Sequence, residues 1–307
     1  MLAELKAVNN FLKTLNKLDE NEFYYWNTIH LKTTAFYWAS LTSHLLNCFE
    51  VSSIDPILNH LETCRQPEGG YGGQKGHDAN LQFTLSAIQL YILFNRLEEI
   101  DVVKNSAFIL KLQNSDGSFS SDIWGEKDVK FTYMGLLSLK LLQKLNTCDI
   151  ASAQSFLLSC LNKDGGFGLL PRTESHAGFT FCAVAGLVLC GHVFTEKENS
   201  LIVDWLKNRI FGIGVNGRPG KFYDSCYAWW VLASLKLLNV PVINYDFVIP
   251  FILSCQNKKS GGFSPRPREP ADLFHTTFSV AALSLLKHGG LEPIDPLTCL
   301  PGSIMNI

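Results

Sequence analysis

Apolar positions along this chain fall into long blocks set at one fixed spacing. FTLSAIQLYILF (83–94), FTYMGLLSLKLL (131–142), FTFCAVAGLVLC (179–190), YAWWVLASLKLL (227–238) and HTTFSVAALSLL (275–286) are apolar on nearly every face. Each is too long for an ordinary strand, and the missing wet face predicts a buried helix. Between them lie more amphipathic stretches, such as VKNSAFILKLQ (103–113) and ENSLIVDWLKN (198–208). These predict outer helices with one solvated side. Ahead of the blocks stands an aromatic behind small residues: Tyr71, Phe119, Phe167 and Phe263. These slots differ by 48, except for one gap of 96 whose midpoint is Val215 in GIGVNGRPG. Counting 48 back from Tyr71 reaches Phe23 in NEFYYW, a degenerate first copy without glycines.

Six units follow, covering roughly residues 20 to 290 if each holds an inner and an outer helix. An open solenoid would need terminal repeats with polar outer faces. Six copies with an all-apolar inner layer favour closure instead. The expected fold is all-α: an α/α barrel, or toroid, of six inner and six outer helices, forming one domain over residues 1–307. The glycine turns then gather at one rim, where every inner helix starts.

Composition narrows the class. Hydrophobic residues make up 47% and charged residues 18% of the 307 positions, a charged share low enough to require extensive burial and to exclude disorder. The 26 Lys+Arg nearly balance 28 Asp+Glu, which gives no global reason to bind nucleic acid or an anionic membrane. No apolar run reaches the roughly 18 residues of a membrane span. Residues 1–20 are charged throughout, so no signal peptide is expected. Nine cysteines without a CxxC pair do not resemble a secreted disulfide framework. A cytoplasmic protein is expected.

Numbering from the slot brings out candidate chemistry. Nine residues on stand Lys32, Asn80, Asp128, His176, Asp224 and Asp272, and eleven on only the fifth unit has a thiol, Cys226. Twelve on, Tyr or Phe is usual, but the sixth unit has His275. Helical residues two apart point about 200° from each other, so Asp224 must precede the helix that Cys226 begins. His275 starts the next inner helix, roughly 8–10 Å away. An O/S/N trio suits Zn²⁺ with an open fourth position. Taken singly, Asp224 reads as an N-cap, Cys226 as a small buried hydrophobe, and His275 as a helix-start residue bonded to backbone. The joint placement favours an ion.

A cationic set lies beside the trio: His176, Arg218, Lys221 and, following Cys226, Tyr227. Together with helix N-termini it would suit a diphosphate, although each alone could be a solvated loop group. Trp38, Tyr133, Cys182, Trp229 and Trp230 fall within inner segments. Aromatics at helical spacing are usually core, yet a ring of six helices leaves a central space. An apolar funnel below a cationic rim suggests a long lipid with a diphosphate head.

These residues resemble the β subunits of protein prenyltransferases, most of all the Rab geranylgeranyltransferase (type II) group. The likeness runs through nearly the whole chain and is most specific in GGYGGQKGHDANLQFTLSAIQ (69–89), ESHAGFTFC (174–182), NGRPGKFYDSCYAWWVLASLKLL (216–238) and GGFSPRPREPADLFHTTFSVAALSLL (261–286). The resemblance implies zinc on Asp224, Cys226 and His275, the trio selected by register. It implies diphosphate binding by His176, Arg218, Lys221 and Tyr227. It also implies a tunnel in which Thr34 and Leu85 favour a geranylgeranyl over a farnesyl chain. Pro265 stands where relatives carry an Asp linked to magnesium use, so the resemblance does not extend to a Mg²⁺ site. Lys130 replaces a usual Arg, keeping charge but losing the bidentate fork.

The implied reaction is transfer of a geranylgeranyl group from its diphosphate to C-terminal cysteine thiols of Rab-type small GTPases through a zinc-bound thiolate. The implied partners are a helical α subunit in a heterodimer and an escort protein that presents the GTPase. Farnesyl or type I geranylgeranyl transfer, and a non-enzymatic helical-repeat scaffold, are the alternatives. A glycosidase needs two opposed carboxylates, where the register supplies a mixed trio. A terpene cyclase needs an acid cluster such as DDxxD or DxDD, which the chain lacks.

Overall fold

The computed structural model describes residues 3–15 and 28–305; Phe23, the slot of the degenerate copy, lies outside them. The helices are α1 (Ala3–Leu15), α2 (Lys32–Leu45), α3 (Ile54–Cys64), α4 (Leu81–Leu93), α5 (Val102–Lys111), α6 (Val129–Leu141), α7 (Ile150–Ser159), α8 (Ala177–Leu189), α9 (Glu196–Lys207), α10 (Cys226–Leu237), α11 (Ile249–Ser254), α12 (Leu273–Leu285) and the short α13 (Gly302–Met305). Two small antiparallel hairpins pair β1 (Phe119–Ser120) with β2 (Lys127–Asp128), and β3 (Ile210–Phe211) with β4 (Gly214–Val215).

Each inner helix from α2 to α12, the even-numbered ones, packs on the next, and α12 returns to α2. The ring is closed, as the apolar blocks predict. The inner helices start one or two residues before those blocks because polar caps hold their first turns. Asn80, Asp128, His176 and Asp272 each accept a backbone N–H of the helix they precede. They stop in register too. Asn47, Asn95, Gln143, Gly191, Asn239 and Lys287 all take a left-handed backbone just past an inner helix, the usual C-terminal device. Asn47 thereby carries the register into the first repeat.

The 48-residue spacing is kept by hydrogen bonds. The slot N–H of Tyr71, Phe119, Phe167 and Phe263 donates to the hydroxyl of Thr84, Thr132, Thr180 and Thr276 at 3.0, 3.1, 3.0 and 2.9 Å. Val215, the non-aromatic slot, is fully buried like the others, and its carbonyl accepts the Asp224 N–H at 3.0 Å. Adjacent repeats are stitched at the rim: Leu81, Val129, Ala177 and Ser225 donate N–H to Ser121, Leu169, Gly217 and Pro265.

Ring closure departs from the simple count. A β-carbon on Gly69 would collide with the Lys104 carbonyl of α5, and one on Gly261 with the Ala7 carbonyl of α1. The N-terminal helix α1 therefore takes the outer place beside α12, with Leu5, Val8 and Phe11 buried. The sixth outer helix comes from residues before 20, not from those after 285. Beyond α12 the chain turns inward and spans the end opposite the rim. Tyr37 and Tyr133 donate their hydroxyls to the carbonyls of Cys299 (2.7 Å) and Leu297 (2.8 Å), and Gln89 donates to Thr298 (2.9 Å). This segment is the floor of the barrel. No described helix is long and apolar enough to cross a membrane.

Candidate metal centre

Asp224, Cys226 and His275 converge. Their ligand atoms all lie within 4.8 Å of one another, and among the described residues they form the one such group of three or more. Local structure places each of them. Asp224 is fixed by the Val215 carbonyl, and the neighbouring Ser225 N–H is tied to the Pro265 carbonyl at 3.0 Å. Pro265 thus contributes its carbonyl to the seam between repeats five and six. Asp224 Oδ1 accepts the Cys226 N–H at 3.0 Å, and Cys226 opens α10. His275 lies in the first turn of α12, with Nε2 3.4 Å from Asp224 Oδ1.

Asp272 completes the arrangement, and the sequence reading passed over it as one aspartate among several. It caps α12 by accepting the His275 N–H at 2.8 Å, and its second oxygen accepts the Nδ1 proton at 2.6 Å. A carboxylate can only accept here, so Nδ1 carries the proton and Nε2 points at Asp224 and Cys226. This is how metal-ligating histidines are usually held. The signal was present in DLFH: an aspartate three residues before a helix-start histidine.

The electrostatics fit a cation. Burial would lower the His275 pKa, but hydrogen bonds and charge from Asp224 and Asp272 outweigh it and push it up to about 9. Burial also opposes ionisation of Asp224, yet its bonds from His275 and Cys226 hold it below the ordinary value. Burial, then the Asp224 charge, pushes the Cys226 thiol well above its usual range, so only a bound cation would make the thiolate stable there. The donors are one carboxylate, one sulfur and one imidazole, a set whose chemistry suits zinc.

Of the predicted anion-binding residues, the structure brings three together. His176 Nδ1 accepts the Gly178 N–H at 3.1 Å, so Nε2 carries the proton and donates to the Tyr227 hydroxyl at 3.2 Å. Arg218 lies close enough to lower the pKa of His176, after burial, and it is ion-paired to Glu174. Burial and the neighbouring Cys226 and Asp224 push Tyr227 up to about 12. Lys221 is exposed on the same loop, and no contact joins its ammonium to those three. Lys130 lies over the Phe131 ring, 4.1 Å from its centroid.

The predicted tunnel residues separate. Trp38 and Trp230, with Met134, are half-buried at the same register position as Ser86, Cys182 and Phe278, forming one level of the inner wall. The Trp230 and Phe278 rings meet at a 41° tilt with centroids 4.5 Å apart, and Trp38 meets Phe278 edge-on at 6.3 Å. Thr34 bonds Ser86 at 3.0 Å between α2 and α4, with Leu85 buried next to Ser86. Trp229 differs: it has 0% exposure and packs between Phe181 and Phe278, so it fills the wall instead of lining it. Tyr133 supports the floor through its bond to Leu297.

Residues 3–300 match the family described as the prenyltransferase alpha-alpha toroid domain. The chain is 37% identical over 303 residues to the geranylgeranyl transferase type-2 subunit beta of Saccharomyces cerevisiae, covering 95% of this chain and 93% of that protein. It is 41% identical over 278 residues to the type-2 subunit beta 1 of Arabidopsis thaliana, covering 90% and 87%. Among solved structures, Candida albicans protein geranylgeranyltransferase-I complexed with GGPP superposes with a TM-score of 0.87 at 24% identity, over 100% of this chain and 98% of that one. A type II terpene cyclase from Scytonema superposes with a TM-score of 0.64 at 12% identity, over 92% and 97%. These last two establish a shared fold.

Proposed function

Because the chain belongs to the prenyltransferase alpha-alpha toroid family, we propose that it is the catalytic β subunit of a type II protein geranylgeranyltransferase. Its substrates in this reading are geranylgeranyl diphosphate and the C-terminal cysteine thiols of Rab-type small GTPases. It would act in the cytoplasm with a helical α subunit and an escort protein that presents the GTPase. The carrying observation is the convergence of Asp224, Cys226 and His275 within 4.8 Å at the rim, in a chain so similar to named type-2 β subunits.

Asp224, Cys226 and His275 would hold zinc, which when bound supplies the charge that keeps an incoming thiol deprotonated at neutral pH. The thiolate sulfur attacks the first carbon of the lipid as the carbon–oxygen bond to diphosphate breaks, and the electron pair leaves on the diphosphate. No base is needed at that step. The His176 Nε2–H now spent on Tyr227, the Tyr227 hydroxyl and the Arg218 guanidinium would donate to the departing oxygens, and the exposed Lys221 ammonium on the same loop as Arg218 would add its charge. The half-buried level of Trp38, Met134 and Trp230 excludes water from the reacting carbon and receives the tail.

Co-expression with a candidate α subunit, zinc analysis and a transfer assay test this reading. Geranylgeranyl and farnesyl diphosphates should compete for a GTPase acceptor supplied with its escort. About one zinc per chain and geranylgeranyl transfer are expected. A preference for farnesyl diphosphate or for a four-residue C-terminal box would move the assignment to the other prenyltransferases, and absence of zinc and lipid binding would leave a scaffold.

A further inference from the structure

Five residues past the slot, the rim turn takes a left-handed backbone in four repeats: Gly76 (φ 82°), Arg172 (φ 67°), Gly220 (φ 73°) and Arg268 (φ 73°). A β-carbon on Gly76 or Gly220 meets nothing within 4 Å, so packing asks for no side chain there and glycine is the relaxed choice. Repeats four and six carry arginine all the same, against the left-handed penalty. Both arginines are exposed, and among the described residues neither guanidinium has an ion pair or hydrogen bond. Arg218 and Arg266, on the same rim, are instead paired to Glu174 and Glu269.

The surrounding charges share this polarity. Lys163, Lys221, Lys258 and Lys259 are exposed on the rim of repeats four to six and form no ion pair among the described residues. The acids of that side are committed. Glu174 and Glu269 are paired, Asp164 accepts from Gly166, Ser175 and Trp205, and Asp224 and Asp272 belong to the metal cluster. Across the ring, repeats two and three expose Glu68, Asp78 and Glu126 with Lys75 among them, while Lys127 is tied to Asp116. Among the described residues of a chain with near-zero net charge, the rim is thus strongly basic on the side of the reactive cluster and mixed, with acids in excess, on that of repeats two and three.

We propose that the rim of repeats four to six is a docking surface for an acidic stretch of polypeptide, anchored by Arg172 and Arg268 on either side of repeat five. The proposal rests on the reading that a cysteine-bearing polypeptide enters there, and it adds the chemistry of the flanking residues. Cys226 is buried and His275 half-buried, so a polypeptide end that reaches them would run between the two repeats that carry the exposed arginines. A flat bilayer cannot touch the rim and fill the recess together.

The test uses the complex with its α subunit and labelled peptides ending in one cysteine, with glutamate-rich, serine-rich or lysine-rich flanks. Binding is followed by fluorescence anisotropy without lipid diphosphate, at low and high salt, and transfer is followed separately. The glutamate-rich peptide should bind about tenfold tighter than the serine-rich one at low salt, with the advantage lost at high salt. The Arg172→Gly/Arg268→Gly double variant should lose it too. That variant should keep its thermal midpoint, because glycine suits a left-handed turn, and its turnover of the serine-rich peptide. Equal binding of all three peptides, a preference that survives in the double variant, or a lowered midpoint overturns the proposal. So does loss of the α subunit from the double variant, which makes this a subunit interface, or arginine-dependent binding to phosphatidylserine vesicles without peptide preference. If no peptide is prenylated but the acidic preference stands, the transfer reading fails and the docking surface remains.

Discussion

Asp128 and Asp224 stand at the same register position in repeats three and five, yet they do different work. Asp128 is 3% exposed and caps α6 by accepting the Phe131 N–H at 2.8 Å. Burial raises its pKa, with the cap bond and Lys130 opposing. Asp224 spends one oxygen on the Cys226 N–H and faces His275 across the repeat boundary. Asp272, in the same position of repeat six, does both jobs, capping its helix and holding an imidazole. The repeat supplies an aspartate for folding reasons. What makes one of them a candidate metal ligand is the residue two or three places on, in its own repeat or the next.

The largest break in this comparison should come from the ligands. Cys226→Ser or His275→Ala is expected to reduce zinc from about one per chain to near zero and to abolish transfer. Asp128→Ala should leave zinc content unchanged. Elemental analysis of the purified proteins checks both, and equal losses would erase the distinction between a cap and a ligand.

Next in size is Asp272→Asn, expected to weaken zinc binding about 10–100-fold by removing the anionic partner of Nδ1. Metal titrations across pH sharpen this expectation. In the metal-free protein the His275 pKa is raised from 6.5 to about 9. Its charge therefore stabilises the fold fully below about 6.5, and that contribution is lost as pH rises through 9. Zinc must displace the same proton, so its affinity should rise over the interval in which the metal-free midpoint falls. The asparagine variant should flatten both slopes.

A smaller effect is expected on stability alone. Asp128→Ala should destabilise by about 1 kcal/mol through loss of the cap, lowering the thermal midpoint by about 2–4 °C. The smallest effect concerns Arg218, whose exposed pairing with Glu174 is of the kind that is worth at most about 1 kcal/mol. Glu174→Gln should free the guanidinium and tighten lipid-diphosphate binding by about two- to fivefold, measurable in a competition assay.

Much of this was legible in the chain because both the fold and the site follow one period. The spacing of Tyr71, Phe119, Phe167 and Phe263 located the inner helices to within two residues. The anomalies Cys226 and His275 stood out only against that register. What escaped was nonlocal. Nothing near Ala7 reveals that it will lie against Gly261. Tyr133 reads as wall until its hydroxyl is seen to hold the Leu297 carbonyl. Trp229 and Trp230 are indistinguishable as letters, although one is sealed between helices and the other faces the centre. Thr84, Thr132, Thr180 and Thr276 were hidden inside segments that look purely apolar, each thirteen residues from the amide it satisfies.

The seat of α1 beside Gly261 also imposes an order in time. Residues 5–11 are made well before the surface they pack on, because repeat six must be made before its neighbour can settle. At about 5–20 residues per second, the apolar side of Leu5, Val8 and Phe11 waits roughly 15–60 s for a surface to cover it. A nascent chain of this design needs the apolar side of α1 shielded until repeat six has emerged.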